Sequence, residues 1–242
     1  MISPVFEEKA HTYTDPSDHF KYLSVTKWVD QFKPFFDEKA QAQKIALRTG
    51  VTVDLILQEW KEKRDNSKIF GTAIHKELEY FHQTGKIKNK LFTPVIDNFK
   101  QLRLNLDTKT CFLEKLVFNR KLGIAGTSDV IIHNKDKKTF NVYDFKTNKK
   151  LRLHTPFKEV LKEPLNSFPA TEYFIYSLQI SMYAYLYKLM SRLEPLRLKI
   201  FWYNRVEPEN YNNFTGNWEV FNTPYMEEEI LKCLYYEKNI LG

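Results

Sequence analysis

Between residues 111 and 147 the texture of the chain changes. Three runs, CFLEKLVFN (111–119), IAGTSDVIIHN (124–134) and KTFNVYDFKT (138–147), are dense in β-branched and aromatic residues, and a polar HNKDKK joins the second to the third. Runs of this kind separated by short turns read as three consecutive antiparallel strands. Such a meander has an apolar face that must be covered by other elements. The segments on either side are the ones available to cover it, and most of them carry helical periodicity.

Residues 5 to 25 alternate in patches around a DPSD turn and predict a β-hairpin. From Val25 the positions Trp28, Val29, Phe32 and Phe36 fall at helical spacing, with Pro34 set to kink or split the helix. VTVDLILQEWKEKR (51–64) predicts a second helix. NSKIFGTAIHKELEYFH predicts a third, capped by Asn66 and Ser67, and TPVIDNFKQLRLNL (93–106) a fourth. After the meander and a stretch with Pro156, Pro164 and Pro169 come a strongly helical 171–190, a strand LRLKIFWYN, and a closing helix expected to be capped by Thr223 with Pro224 at its first position. The fold class expected is α/β (α+β), with a central sheet flanked by helices and a helical N-terminal half.

Length and composition fit a single soluble domain. The chain has 242 residues, 43% of them hydrophobic, and only 7 glycines, so flexible glycine-rich linkers are not expected. The organisation expected is an N-terminal part (1–65), a core (66–205) and a C-terminal segment (206–242) within that one domain. Cys111 and Cys233 lie far apart and form no C-x-x-C pair, which argues against a disulfide framework or a zinc or iron–sulfur cage. No apolar run reaches membrane-spanning length and the N-terminus lacks a signal peptide's apolar core, so a cytoplasmic location is expected. The formal charge of +7 suits a polyanionic partner such as nucleic acid, although a lysine-rich soluble protein would show it too.

The third strand ends in Asp144-Phe145-Lys146. The same D-x-K spacing recurs at 37–39, 107–109 and 136–138, so the pattern alone is not informative. Context separates them. Asp37 and Lys39 lie in an expected helix, where residues two apart do not face each other; the other two copies lie in polar connections. Asp144 sits in an apolar strand, where a buried acid needs a partner. If Asp136 and Lys137 make the tight turn, opposed residues sum to 273, and Asp129 then faces Asp144 with Cβ atoms roughly 5 Å apart. Lys146 shares the face of Asp144. Two carboxylates and an ammonium at one spot can hold a hard cation such as Mg²⁺; a structural ion pair is the alternative. Glu114 is another acid inside an apolar run. His75 follows Gly71 in GTAIHKELE on the edge of a helix's apolar face, with Glu79 one turn on. Gln179 and Tyr183 share a helix face. Taken singly, each of these has a structural explanation.

In order, these residues resemble the PD-(D/E)XK nuclease superfamily, in its RecB-like exonuclease branch. The pattern there is G-x-x-x-H on a helix, an acid, G-x-x-D on a strand, D-x-K or E-x-K on the next strand, and Q-x-x-x-Y on a helix. This chain offers Gly71 to His75, Glu114, Gly126-Thr127-Ser128-Asp129, Asp144-Phe145-Lys146, and Gln179 to Tyr183, spanning about residues 66 to 190. YLSVTKWVDQFKPFFD near the N-terminus is similar to the opening of phage-encoded and mitochondrial-type members. Some relatives carry four cysteines that hold an iron–sulfur cluster; with two isolated cysteines this chain looks like the cluster-free types.

The resemblance implies a restriction-endonuclease-like core and a Mg²⁺- or Mn²⁺-dependent DNA nuclease acting at single-stranded ends or flaps. In that reading His75, Asp129, Asp144 and the Phe145 carbonyl hold metal. Glu114 assists, directly or through water. Lys146 orients and helps to activate the attacking water, and Gln179 and Tyr183 position the lysine and the strand. Partners in replication or recombination would follow. An endonuclease of the same fold and a catalytically silent nucleic-acid-binding module are the rival readings. For strand handling, Ser24 and Thr26 sit at an expected helix start, where free N–H groups favour phosphate. Lys27, Arg64, Lys149, Lys150 and Arg152 are candidates for a backbone track, with solvated surface the plainer reading.

Overall fold

The computed structural model describes residues 3–7, 12–102, 104, 110–134, 138–155, 159–206, 210–212 and 214–238. Its centre is an open mixed sheet of eight strands, β1 (Val5–Glu7), β2 (Thr12–Thr14), β3 (Lys21–Ser24), β4 (Cys111–Asn119), β5 (Ile124–Asn134), β6 (Thr139–Lys146), β7 (Glu194–Arg205) and β8 (Gly216–Thr223). The spatial order is β1-β2-β3-β5-β6-β7-β8, with β4 on the other side of β5. Pairings β3/β5 and β6/β7 are parallel and the rest antiparallel. Residues 111–146 form three consecutive antiparallel strands, as their texture predicts, with β5 and β6 inside the sheet and β4 paired to β5 alone. Strand β5 has an interrupted edge. Away from β4 it pairs with β3 at Ile124 and Ala125 and with β6 from Val130 onward. Neither ladder reaches the four residues between, Gly126 to Asp129.

Helices cover both faces. On one lie α1 (Val25–Asp30), α5 (Glu172–Ser191) and α6 (Glu227–Tyr236), packed with Ile131, Val142 and Val117 of the sheet. On the other lie α3 (Val53–Thr84) and α4 (Thr93–Gln101), packed with Val130, Tyr143, Phe145 and Phe201. Period-2 alternation makes this division: Val130 and Tyr143 oppose each other and face α3 and α4, and Ile131 and Val142 oppose each other and face α5. Ile131, Leu178 and Ile180 are fully buried, each contributing about 1.5–3 kcal/mol of apolar burial.

Several elements differ from expectation. The helix begun at Val25 stops at Asp30. Pro34 lies outside any helix, and α2 (Glu38–Thr49) restarts with the Asp37 side chain accepting from the Ala40 N–H. Phe36 is exposed outside any helix. The two helices expected at 51–64 and from 66 are one 32-residue helix, α3, capped by Thr52 and closed by Gly85 at φ 69°. Asn66 and Ser67 cap nothing, because no glycine or proline interrupts 53–70, and Ser67 Oγ instead pairs with Tyr211 Oη at 2.9 Å. Helix α4 ends at Gln101 rather than 106. Strand β8 was not anticipated. It pairs with β7 up to Leu198↔Thr223, so Thr223 ends a strand and α6 starts at Glu227 behind Met226. Sheet pairing outweighs the local capping signal there. The turn expected at Asp136 and Lys137, and the connection holding Asp107 and Lys109, lie outside the described residues. No helix among those described is long and apolar enough to cross a membrane.

Candidate active site

Registers on both sides of β5 place three acids in one row. On the β6 side the paired residues sum to 273, from Asn134↔Thr139 to Val130↔Tyr143, so the next step sets Asp129 opposite Asp144. On the β4 side Leu113↔Val130 and Lys115↔Ser128 bracket Glu114 opposite Asp129. Neither ladder includes this row. Instead the Phe145 N–H donates to Asp129 Oδ2 at 2.6 Å, and Glu114 takes a left-handed φ of 46°. That conformation is uncommon outside glycine and costs on the order of 1 kcal/mol or more. The sheet's backbone pairing opens where its carboxylates meet.

Helix α3 brings the histidine. A Cβ added at Gly71 would lie 2.8 Å from Thr147 Oγ1, so the glycine lets the helix approach the end of β6. One turn on, His75 Nε2 lies 3.1 Å from the Phe145 carbonyl oxygen. Since that oxygen can only accept, Nε2 carries hydrogen. Nδ1 is 3.5 Å from Asp129 Oδ1 and 4.0 Å from Glu114 Oε1. Burial pulls the imidazole's pKa down, but Asp129 and then Glu114 outweigh it and lift it to about 9. In the metal-free site His75 is thus an imidazolium serving as the local cation. Asp129 is held below the usual carboxylate range: burial pushes it up, and His75, Lys146 and the Phe145 N–H more than compensate. Glu114 is pushed up to about 7, by burial first and then by Asp129.

The other half of the row faces α5. Lys146 Nζ is 2.6 Å from Asp144 Oδ2 and 4.8 Å from the centre of the Tyr176 ring. Burial works against the ammonium, yet Asp144 and Asp129 hold its pKa above the ordinary lysine value. Asp144 is raised to about 6 by burial, with Lys146 opposing and Asp129 adding to the rise. Gln179 Nε2 donates to Tyr183 Oη at 3.0 Å. A Cβ at Gly126 would come within 2.6 Å of the Tyr183 ring and 2.9 Å of Val25. The glycine of G-x-x-D therefore admits Tyr183 against the stretch of β5 that pairs with β4 but with neither β3 nor β6.

His75, Glu114 and Asp129 place one ligand atom each within 4.8 Å of one another, and the Phe145 carbonyl stands beside them. One nitrogen and several oxygens suit a hard divalent ion such as Mg²⁺ or Mn²⁺, and the cluster already holds a cation in the form of the imidazolium. Asp144 is outside that group, turned to Lys146. A cleft of about 720 Å³ opens over His75, Glu114 and Asp129.

Of the residues expected to handle a strand, Ser24 and Thr26 line this cleft. The Ser24 hydroxyl caps α1 by accepting from the Lys27 N–H. Lys27, Arg64, Lys149, Lys150 and Arg152 are not among the lining residues. Arg64 pairs with Glu38, and Arg152 makes a two-pronged bond to Glu172, with Nε–Oε2 at 2.8 Å and Nη2–Oε1 at 2.6 Å. Lining residues that the sequence reading did not single out include Phe6, Tyr13, Lys68 and Lys76. Tyr176 was also missed, though a signal existed: it precedes Gln179 by three and Tyr183 by seven, on one helix face.

No family model and no curated protein matches the chain. Solved structures do. The protein SSO0001 is 16% identical over 91% of this chain and 76% of its own, with a TM-score of 0.38. A protein from Eubacterium rectale, provisionally described as an exonuclease, is 11% identical over 91% of this chain and 80% of its own, with a TM-score of 0.42. Likenesses this distant do not carry function, which rests on the geometry above.

Proposed function

We propose that this protein is a divalent-metal-dependent deoxyribonuclease that hydrolyses phosphodiester bonds at single-stranded DNA ends. The observation that carries the reading is the row Glu114, Asp129, Asp144 across β4, β5 and β6, met by His75 from α3 and closed by Lys146. A binding module gains nothing from carboxylates that repel phosphate in the floor of its cleft. The ordered motifs shared with the RecB-like branch and the net charge of +7 agree with the reading.

His75, Glu114, Asp129 and the Phe145 carbonyl would hold the ion. When bound, Mg²⁺ or Mn²⁺ supplies Lewis acidity at the phosphate and charge that favours ionised water. Asp144 fixes the Lys146 ammonium in place and the Tyr176 face supports it. Lys146 then presents a compact charge that orients the incoming water and meets charge growing on the phosphate. Tyr183, seated against Gly126 and bonded by Gln179, forms the wall beside it.

The test is a digest of end-labelled single- and double-stranded DNA with Mg²⁺ or Mn²⁺, each end blocked in turn. Release of label from unblocked single strands, lost in Asp129→Asn and Lys146→Ala, is the expected outcome. Cutting of internally closed substrates would favour an endonuclease. Undiminished cutting by either variant would overturn the assignment of the site.

A further inference from the structure

One wall of the cleft is aromatic. In the sheet's N-terminal corner β1 and β2 pair in the register Phe6↔Tyr13, and the two rings stack with centroids 4.7 Å apart and planes at 28°. The corner is fastened to the site. Tyr13 Oη lies 3.0 Å from Thr127 Oγ1, inside the G-x-x-D stretch that ends at Asp129, and β3 pairs with the start of β5. Tyr13 is 3% exposed, whereas Phe6 is 36% exposed and lines the cleft. Helix α3 contributes Lys68 and Lys76 to the same lining.

From this we infer that the Phe6–Tyr13 pair is a base-stacking platform, which holds a nucleobase of a single strand next to the phosphate at His75 and Asp129. The inference rests on the nuclease reading above and adds the part of the substrate that the hairpin recognises. Phe6 has no polar atom with which to read a base edge, so the contact tolerates any base. Its ring lies on a second, buried ring that is itself tied to the catalytic strand, so the platform is rigid. The α3 lysines in the same lining suit a sugar–phosphate backbone whose bases turn toward the hairpin. A base in a duplex is already stacked on both sides, so the platform selects unpaired nucleotides.

The test uses ten-nucleotide single strands carrying one 2-aminopurine at successive positions, bound in EDTA and again with Mg²⁺ in the Lys146→Ala background. Stacking on an aromatic ring quenches this base. Wild-type sequence at position 6 is expected to give strong quenching at one position. Phe6→Leu should lose that quenching and bind about tenfold more weakly, within the range for removal of one base–aromatic stack. Phe6→Trp, which keeps a ring on Tyr13, should restore both and guards against loss through misfolding of the hairpin. Binding with unchanged quenching in Phe6→Leu would overturn the platform while leaving the nuclease reading intact. Absence of strand binding by any form would overturn both.

Discussion

The site has two halves that share one row of the sheet and differ in how solvent reaches them. Around His75 two of the three side chains are partly open, 27% exposed for His75 and 39% for Glu114, while Asp129 at 11% forms the floor between the halves. Beneath α5 they are closed, 17% for Lys146 and 3% for Asp144. Each half pairs an acid with a cation, but the cations differ in kind. The imidazolium of His75 can release its Nδ1 proton to solvent when a cation from the cleft competes for that nitrogen. The Lys146 ammonium is a permanent charge locked against a buried carboxylate. The open half is suited to exchange its cation, and the closed half to keep it.

That contrast predicts a separation of binding from chemistry. Asp129→Asn should abolish metal-dependent cleavage and also the rise in Tm that metal produces, which amounts to about 2.7 kcal/mol at a hundredfold excess over Kd and roughly 5–10 °C for a chain of this size. Lys146→Ala should lose on the order of 10²–10³-fold in rate or more yet keep the metal-induced rise. Thermal melts with and without Mn²⁺ beside the cleavage assay decide it. Loss of the thermal response in Lys146→Ala would join the two halves into one unit and break the comparison.

Stability should respond next. Asp144→Asn strands the Lys146 ammonium without its partner, and breaking a buried pair on one side costs about 3–5 kcal/mol. Denaturant unfolding of the metal-free protein checks this. A change below about 1 kcal/mol would mean that Lys146 escapes to solvent and that the closed half is not closed.

Much of this was legible in the sequence, and what was not has physical causes. The β5–β6 register followed from the expected Asp136–Lys137 turn and the parity of strands, because a one-residue slip would turn Val142 away from the face that it shares with Ile131. The same arithmetic applied to β4 would have set Glu114 opposite Asp129, since 113 pairs with 130. Its left-handed backbone, however, leaves no mark in composition. Strand β8 and the start of α6 were misread because Thr223-Pro224 is a good local cap, while pairing with β7 is a long-range fact. The hairpin about the DPSD turn was expected and is β2 with β3; the pairing of β1 with β2 that sets Phe6 on Tyr13 at the cleft wall was not, because the segment 5–14 reads locally as one strand and the parallel pairing of β3 with β5 cannot be read locally. The basic residues proposed as a strand track were chosen by charge alone. Arg64 and Arg152 spend that charge on Glu38 and Glu172.

The two glycines of the motifs should also respond differently. At Gly126 an added methyl meets the Tyr183 ring and Val25 between packed layers, and overpacking of this kind costs about 1–3 kcal/mol. At Gly71 it meets only the Thr147 hydroxyl, which can rotate, and alanine gains about 1 kcal/mol of helix propensity. Gly126→Ala should therefore lower Tm, and Gly71→Ala should leave it nearly unchanged. Equal losses would mean that α3 cannot yield at Thr147.

The smallest effect tests the electrostatics of the open half. Without metal, Glu114 and Asp129 are like charges opposed across a strand pair, which destabilises by roughly 0.2–1 kcal/mol, less after solvent screening of a carboxyl this exposed. Because the folded state lifts the Glu114 pKa to about 7, the sign is fixed. Folding favours the protonated form, so this group's contribution to stability falls as pH rises from the ordinary glutamate range through about 7. Glu114→Gln removes the charge. It should raise the metal-free Tm slightly near pH 8, where wild-type Glu114 is ionised, and change it little near pH 5, where it is not. Metal addition should reverse the order, since the variant has lost a ligand. A metal-free Tm that falls at both pH values would show that Glu114 is held by attraction, and the open half would then be a preformed ion pair rather than a seat awaiting a cation.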